Sequence, residues 1–261
     1  MAQLILLCLF AFLAGLIDSI VGGGGLIQLP ALLVLLPNTA VPLLFGTNKL
    51  SSIAGTSAAA IRFAREIKIT WSIVVPAAIA AFIFSFIGAR IVSIIRPDIL
   101  RPIILVLLIS VTIYTFLKKD FGSQYVLKNQ GIKTTLYALV IGAFLGFYDG
   151  FLGPGTGSFL IFAFIGAIGF DFLRASAAAK IVNFSTNFSA VLYFASTSNI
   201  IYHIALPMAL CNIIGSIIGA KLAILKGSSF IRIVFIGVVS VLIVKLAYDV
   251  FSEFTHFNNR H

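Results

Sequence analysis

Two aspartates and two lysines stand inside stretches of sequence that are otherwise apolar. Asp18 and Asp149 each lie four residues ahead of a glycine cluster, Gly22-Gly23-Gly24-Gly25 for the first and Gly153-Pro154-Gly155-Thr156-Gly157 for the second. Lys49 and Lys180 each lie several residues into the next apolar segment. A charged side chain in hydrocarbon is costly, so by default it marks an ion or substrate pathway. A buried ammonium can hold an anion. A buried carboxylate can pair with that ammonium, or take up a proton as the anion moves. A glycine run that interrupts a helix frees backbone amides, and amides at a helix start form an anion seat. The plain alternatives are lysines snorkelling to the interface, a structural ion pair, and glycines that only let helices approach. One glycine pair would not decide between these readings, but two clusters at matched positions, each behind an aspartate, favour a site.

Each lysine opens a polar stripe along one helical face. Lys49, Ser52 and Thr56 stand at i, i+3 and i+7, and Lys180, Asn183 and Asn187 repeat that spacing. A polar stripe on a membrane helix faces a cavity or another helix rather than lipid. Asn48, Ser51, Ser57, Ser185, Thr186 and Ser189 add donors nearby. The expected anion site is therefore Lys49 and Lys180 with Asn48, Ser52, Thr56, Asn183 and Asn187. The glycine breaks join it through Gly22, Gly23, Gly24, Gly153, Gly155, Thr156 and Gly157, and Asp18 and Asp149 act as ion-pair partners or proton carriers.

These residues recur because the chain repeats itself. A shift of 131 positions superimposes Gly15 on Gly146, Asp18 on Asp149, Lys49 on Lys180, Pro76 on Pro207 and Gly88 on Gly219 without a gap. The sequence thus divides into two units, 1–130 and 131–261, within one membrane domain. Apolar segments run roughly over 3–36, 43–61, 70–89 and 99–117 in the first unit. In the second they run roughly over 134–170, 175–196, 201–220 and 229–252, with a polar linker from Lys118 to Lys133 between the units. The first segment of each unit is too long for one span: thirty-four residues of helix measure about 51 Å against a hydrocarbon core of about 30 Å. Each is broken at its glycines, so each is expected to unwind, double back and return as a short second arm.

Loop charge supports that expectation. With eight single spans, alternate loops carry 8 and 7 Lys+Arg, leaving out Lys49, Lys180 and Lys245, which is no bias. With each long segment folded as two arms, one face collects eleven basic residues and the other four, which obeys the positive-inside rule. Five segments per unit would leave the units inverted and both termini outside. The expected fold is an all-α integral membrane protein of two inverted repeats with eight to ten membrane segments. Duplicated membrane units of this kind usually hold substrate at their interface.

Composition excludes other classes. Hydrophobic residues make up 60% of the 261 residues and charged residues 10%, too apolar for a soluble domain. The segments lack the alternation of a β-barrel. No Lys or Arg precedes Lys49, so the start lacks the basic region of a signal peptide and is expected to remain a membrane segment. The net charge of +10 reads as loop charge that orients the protein and meets anionic lipid, not as a nucleic-acid surface. Cys8 and Cys211 have neither disulfide nor zinc spacing and read as small packing residues. Trp71, and His203 beside Tyr202, read as interfacial residues, and Pro76 and Pro207 as matched helix kinks. The glycine runs lack the Lys-Ser/Thr of a P-loop, and no His/Cys/Glu group has metal spacing, so no cofactor or metal is expected. Asp18 and Asp149 could suggest an intramembrane aspartyl enzyme, but the sequence reads Gly-x-x-Asp rather than Gly-x-Gly-Asp. A passive anion channel is the remaining alternative to a carrier.

At these residues a family resemblance emerges. DSIVGGGGLIQLP, from Asp18 to Pro30, followed by GTNKLSSIAGTSAAAIRF, from Gly46 to Phe63, resembles the first repeat of the TauE/SafE sulfite exporter family. GFLGPGTGSF, from Gly150 to Phe159, followed by AAAKIVNFSTNFSAVLYF, from Ala177 to Phe194, is similar to its second repeat. The second repeat departs in carrying Ile161 where Pro30 stands in the first. The resemblance implies a multipass carrier of the bacterial inner membrane for small sulfur-containing anions such as sulfite, sulfonates or thiosulfate. The implied partners are that anion and the lipid bilayer, with no nucleic acid.

Overall fold

The structure is a computed structural model that describes residues 1–95, 131–227, 230 and 233. The expected segments 99–117 and 229–252, most of the linker and the C-terminal tail lie outside the described residues, apart from residues 230 and 233. Everything regular among the described residues is helical. The elements are α1 (Ala2–Val21), α2 (Gly25–Leu35), α3 (Val41–Glu66), α4 (Trp71–Ile94), α5 (Ile132–Phe151), α6 (Thr156–Ala163), α7 (Phe172–Ser196) and α8 (Tyr202–Gly227). A π-helical turn, Phe164–Ile168, continues α6.

Both long segments break where the glycines stand. α1 ends at Gly22, which takes φ 81°, the left-handed conformation that closes a helix, and its amide donates to Asp18 O. The chain then reverses: α2 packs against α1, and the Gln3 amide donates to Leu35 O at 3.4 Å, which brings the far end of α2 back to the start of α1. The second break uses Gly153 and Gly155 at φ 88° and 81°, with Pro154 between them. Tyr148 Oη donates to Pro154 O at 2.7 Å and Thr156 Oγ1 to Gly153 O at 2.8 Å, which fixes this loop. The return arms are short, eleven residues in α2 and eight in α6. At 1.5 Å per residue, eleven residues reach only about 16 Å, half of a hydrocarbon core.

Four described helices, α1, α4, α5 and α8, are long and apolar enough to cross a membrane. α3 and α7 have the length, at 26 and 25 residues, but carry the buried lysines and their polar stripes. The outward face is apolar. Val75, Ile79, Ile83 and Ile87 form an exposed i, i+4 ridge on α4, and Leu206, Leu210, Ile214 and Ile218, at the same positions after a shift of 131, form its counterpart on α8. Exposed ridges of large aliphatic side chains are stable against lipid and not against water, so the chain is a multipass membrane protein. Trp71 and Tyr202, both half exposed, open these two helices at matched positions.

Inside, the helices meet through small residues. Gly142, Gly146 and Gly150 of α5 lie against the backbone of Ala77, Ala81 and Ser85 of α4, so a Cβ on any of them would collide with it. Gly15 of α1 and Gly215 and Gly219 of α8 make the corresponding seam with Asn212, Phe12 and Leu16. Contacts therefore recur in pairs offset by 131: Gly15 with Asn212 and Gly146 with Ala81, Gly219 with Ser19 and Gly88 with Gly150. In each case a helix from one half of the sequence packs on a helix from the other half. Such seams are held by close van der Waals contact, since lipid supplies no hydrophobic force between helices.

Gly146→Val is expected to destabilise the protein by about 1–3 kcal/mol through overpacking against Ala81. The check is a thermal melt of detergent-purified protein, with the lipid-facing Ile83→Leu as comparator. Equal melting temperatures for the two variants would contradict the close α4–α5 seam.

Candidate functional site

Among the described residues, four buried intramembrane charges pair across the molecule. Lys49 Nζ donates to Asp149 Oδ2 at 2.6 Å, and Lys180 Nζ donates to Asp18 Oδ2 at 2.9 Å and also to Asp18 O. The lysine of each half holds the aspartate of the other half, and the two pairs are related by the same shift of 131. Lys49, Lys180 and Asp149 are buried, and Asp18 keeps 14% of its side-chain surface exposed. A charge with no water around it must be paired or neutralised, and here each finds a partner of opposite sign.

The local structure explains the aim of each group. The polar stripes of α3 and α7 face inward: Ser52, Thr56, Asn183 and Asn187 all line one small cavity. Asp18 and Asp149 sit in the last turns of α1 and α5, just before the breaks. The breaks themselves meet. A Cβ on Gly22 would collide with the backbone of Gly157, Ser158 N donates to Gly22 O at 3.1 Å, and Ser158 Oγ donates to Val21 O at 2.8 Å. Gly25 lies against Pro154, and a Cβ on Gly153 would stand 3.1 Å from Lys49 Nζ. Two chain reversals, each behind an aspartate, thus abut at the centre of the molecule with a lysine over one of them.

The cavity between them measures about 20 Å³. A water needs roughly 10–15 Å³ by this measure, so one water fits and an oxyanion does not. In this conformation the space beside the paired charges is small.

Of the residues expected from sequence, Asp18, Gly22, Gly24, Asn48, Lys49, Ser52, Thr56, Asp149, Gly153, Gly157, Asn183 and Asn187 line the cavity. Lys180 is not in the wall and reaches it through Asp18. Gly23, Gly155 and Thr156 stand in the breaks without lining the cavity. The expected amide seat is partly spent: the amides of Leu26, Ile27 and Gln28 bond to Gly23 O or Gly24 O, and that of Ser158 ties the two breaks together. Several neighbouring hydroxyls turn elsewhere. Ser57 bonds to Ile53 O of its own helix, while Ser185 and Ser189 bond to Ala78 O and Phe82 O of α4. Thr186 bonds to Asn183. Two polar residues escape the sequence reading, Asn212, which lines the cavity, and Gln28 behind it. Their signal is an amide inside an apolar segment, the same signal that marks the lysines.

Fold and site define a class: a multipass helical membrane transporter, with a buried charged centre between broken helices. The two carboxylates face lysines, not each other. The sequence comparisons agree. The sulfite exporter TauE/SafE family matches residues 7–246, and the chain belongs to that family. It is 34% identical over 241 residues to a "Probable membrane transporter protein ORF9" of Sinorhizobium sp, covering 92% of this chain and 90% of that protein. It is 33% identical over 251 residues to a "Probable membrane transporter protein" of Haemophilus influenzae, covering 94% of each. It is 35% identical over 239 residues to "Probable membrane transporter protein YfcA" of Escherichia coli K12, covering 92% of this chain and 87% of that one. No solved structure matches the fold.

Removing one member of a buried pair strands the other. Lys49→Met is expected to cost about 3–5 kcal/mol of stability, and the double variant Lys49→Met/Asp149→Leu to regain most of it. The measurement is a double-mutant cycle on thermal or denaturant unfolding of purified protein. Additive losses in the double variant would show that the two side chains are not coupled.

Proposed function

We propose that this chain is a secondary carrier that exports a small sulfur-containing anion, such as sulfite, a sulfonate or thiosulfate, across the bacterial inner membrane. Its two halves, 1–130 and 131–261, act as inverted repeats that rock around the central charges, with both termini outside. The observation that carries this reading is the crossed pairing of Lys49 with Asp149 and Lys180 with Asp18 at the meeting point of the two breaks. The sulfur class rests on the family alone; the charge pattern supports only a small anion.

The pairs suggest how transport is coupled. In the paired state the two lysines and two aspartates sum to zero charge. An anion that enters must compete with a carboxylate for its lysine. When it wins, the displaced carboxylate is left without a counter-charge, which a proton taken up with the anion supplies. One proton then accompanies each displaced aspartate, and the loaded centre stays near neutral. When the anion leaves, the aspartate loses its proton and returns to the lysine, which resets the centre. Helix reorientation must open the space first, because the cavity of about 20 Å³ admits no oxyanion. A centre this narrow suits alternating access better than an open pore.

Purified protein in liposomes tests the reading with labelled sulfite, thiosulfate, a sulfonate and sulfate, with and without a pH gradient. Saturable, gradient-driven uptake is expected, falling at least about a hundredfold in Lys49→Ala and Lys180→Ala. Asp149→Asn is expected to abolish the response to the gradient. Uptake indifferent to the gradient would remove the proton from the mechanism, and unchanged uptake in both lysine variants would remove the site.

A further inference from the structure

Two thiols lie outside the charged centre, on helices that lead into it. Cys8 of α1 and Cys211 of α8 are the two cysteines of the chain, and both are half-buried. They stand 203 positions apart in sequence, and the seam between their helices brings them together. A Cβ on Gly215 would collide with Phe12 O, and one on Gly219 with Leu16 O, each contact again spanning 203 positions. The constant offset means that α1 and α8 run parallel. One turn back along both helices, the same register sets Cys8 against Cys211. The two thiols are in hydrogen-bond contact, and both pack on the cluster that includes Leu7, Ala11 and Met208.

The pair belongs to one seam alone. The shift of 131 places Leu139 and Ala80 at the corresponding positions of α5 and α4. A disulfide requires Cα atoms roughly 4.4–6.8 Å apart, a separation that only closely approaching helices reach. This seam supplies the approach: Gly15, Gly215 and Gly219 leave no room for a Cβ, and Ser216 Oγ donates to Gly15 O at 3.2 Å across it. Counted from the helix starts, Cys8 lies about 9 Å along α1 and Cys211 about 14 Å along α8. With both termini outside, as proposed above, those depths are measured from the outer surface, and disulfides persist outside the cytoplasm.

We infer that Cys8 and Cys211 are a redox modification site, whose oxidation to a disulfide staples α1 to α8 and locks the carrier. The site takes a membrane-permeant two-electron hydrogen acceptor, a quinone or an azo compound by class. Both S–H bonds break and one S–S bond forms. The two protons and two electrons pass to the acceptor, which leaves as a hydroquinone or a hydrazine. A dithiol reductant reverses the step by thiol–disulfide exchange. α1 comes from 1–130 and α8 from 131–261, so the bond joins the two halves. α1 carries Asp18 in its last turn and α8 supplies Asn212 to the cavity, so a staple on this seam restrains both. The lock rests on the reading that the halves rock against each other; the thiol chemistry does not.

The test treats the full chain in proteoliposomes with diamide, an azo acceptor, then denatures it, alkylates it with N-ethylmaleimide and reads the intact mass. The reduced protein is expected to take two alkyl groups, one per cysteine, and the oxidised protein none, at the mass of a single chain. Two alkyl groups that survive diamide, or a disulfide between two copies, overturn the pair. Labelled sulfite uptake is then read as an initial rate, before sulfite can cleave the disulfide. It is expected to be lost on oxidation, to return with dithiothreitol, and to be insensitive to diamide in Cys8→Ser; Cys211→Ser serves if that variant does not yield monodisperse protein. Full oxidation with no change in rate overturns the lock and leaves the carrier reading standing. Absence of uptake of any anion by the reduced protein overturns the carrier reading and the lock with it, while the thiol count still decides the pair.

Discussion

A buried charge cannot be left alone, and most of this structure follows from that constraint. Among the described residues, four charges lie where water is scarce, and the fold must bring each to an opposite partner. It does so across the molecule, with Lys49 on Asp149 and Lys180 on Asp18. Because each lysine takes its partner from the other half of the chain, neither half can satisfy its own charges. The pairing therefore fixes how the halves interlock, and it makes the charged centre and the interface between the halves the same place.

Reaching that arrangement requires backbones to cross closely at the centre of the protein. The glycines supply the room. Gly22 and Gly157 touch at the crossing of the two breaks, and Gly142, Gly146 and Gly150 bring α5 onto α4 without side chains between them. Irregular backbone is tolerated at such depth only where it is enclosed. Here each break is enclosed by the other: Ser158 supplies both an amide and a hydroxyl to the carbonyls that α1 leaves open at its end. The same bonds use backbone amides that the glycine breaks would otherwise leave free.

A centre that is neutral, paired and nearly filled is stable, and for that reason it is not yet a binding site. Asp18 retains some exposure, and Lys49 Nζ lies close to Gly153. The amide cluster around Gln28 and Asn212 adds a one-sided element to an otherwise matched centre. The shift of 131 places Phe159 and Ala81 at the corresponding positions, so it has no counterpart there.

The sequence by itself determined the class of protein, the positions of both breaks and the charges that matter. Long apolar stretches, glycine runs and isolated lysines are local signals, because the cost of a charge or a bent backbone in hydrocarbon depends on immediate neighbours. The i, i+3, i+7 spacing of Lys49, Ser52 and Thr56 likewise shows in one helix that they share a face, and they do line one cavity. Only the tertiary structure decided which aspartate meets which lysine, since Asp18 and Lys49 are neighbours in sequence but partners of the opposite half in space. It also decided which hydroxyls serve the site, sending Ser185 and Ser189 to the backbone of α4 and admitting Asn212 from α8. Such choices depend on how helices distant in sequence pack, and no local pattern records that geometry.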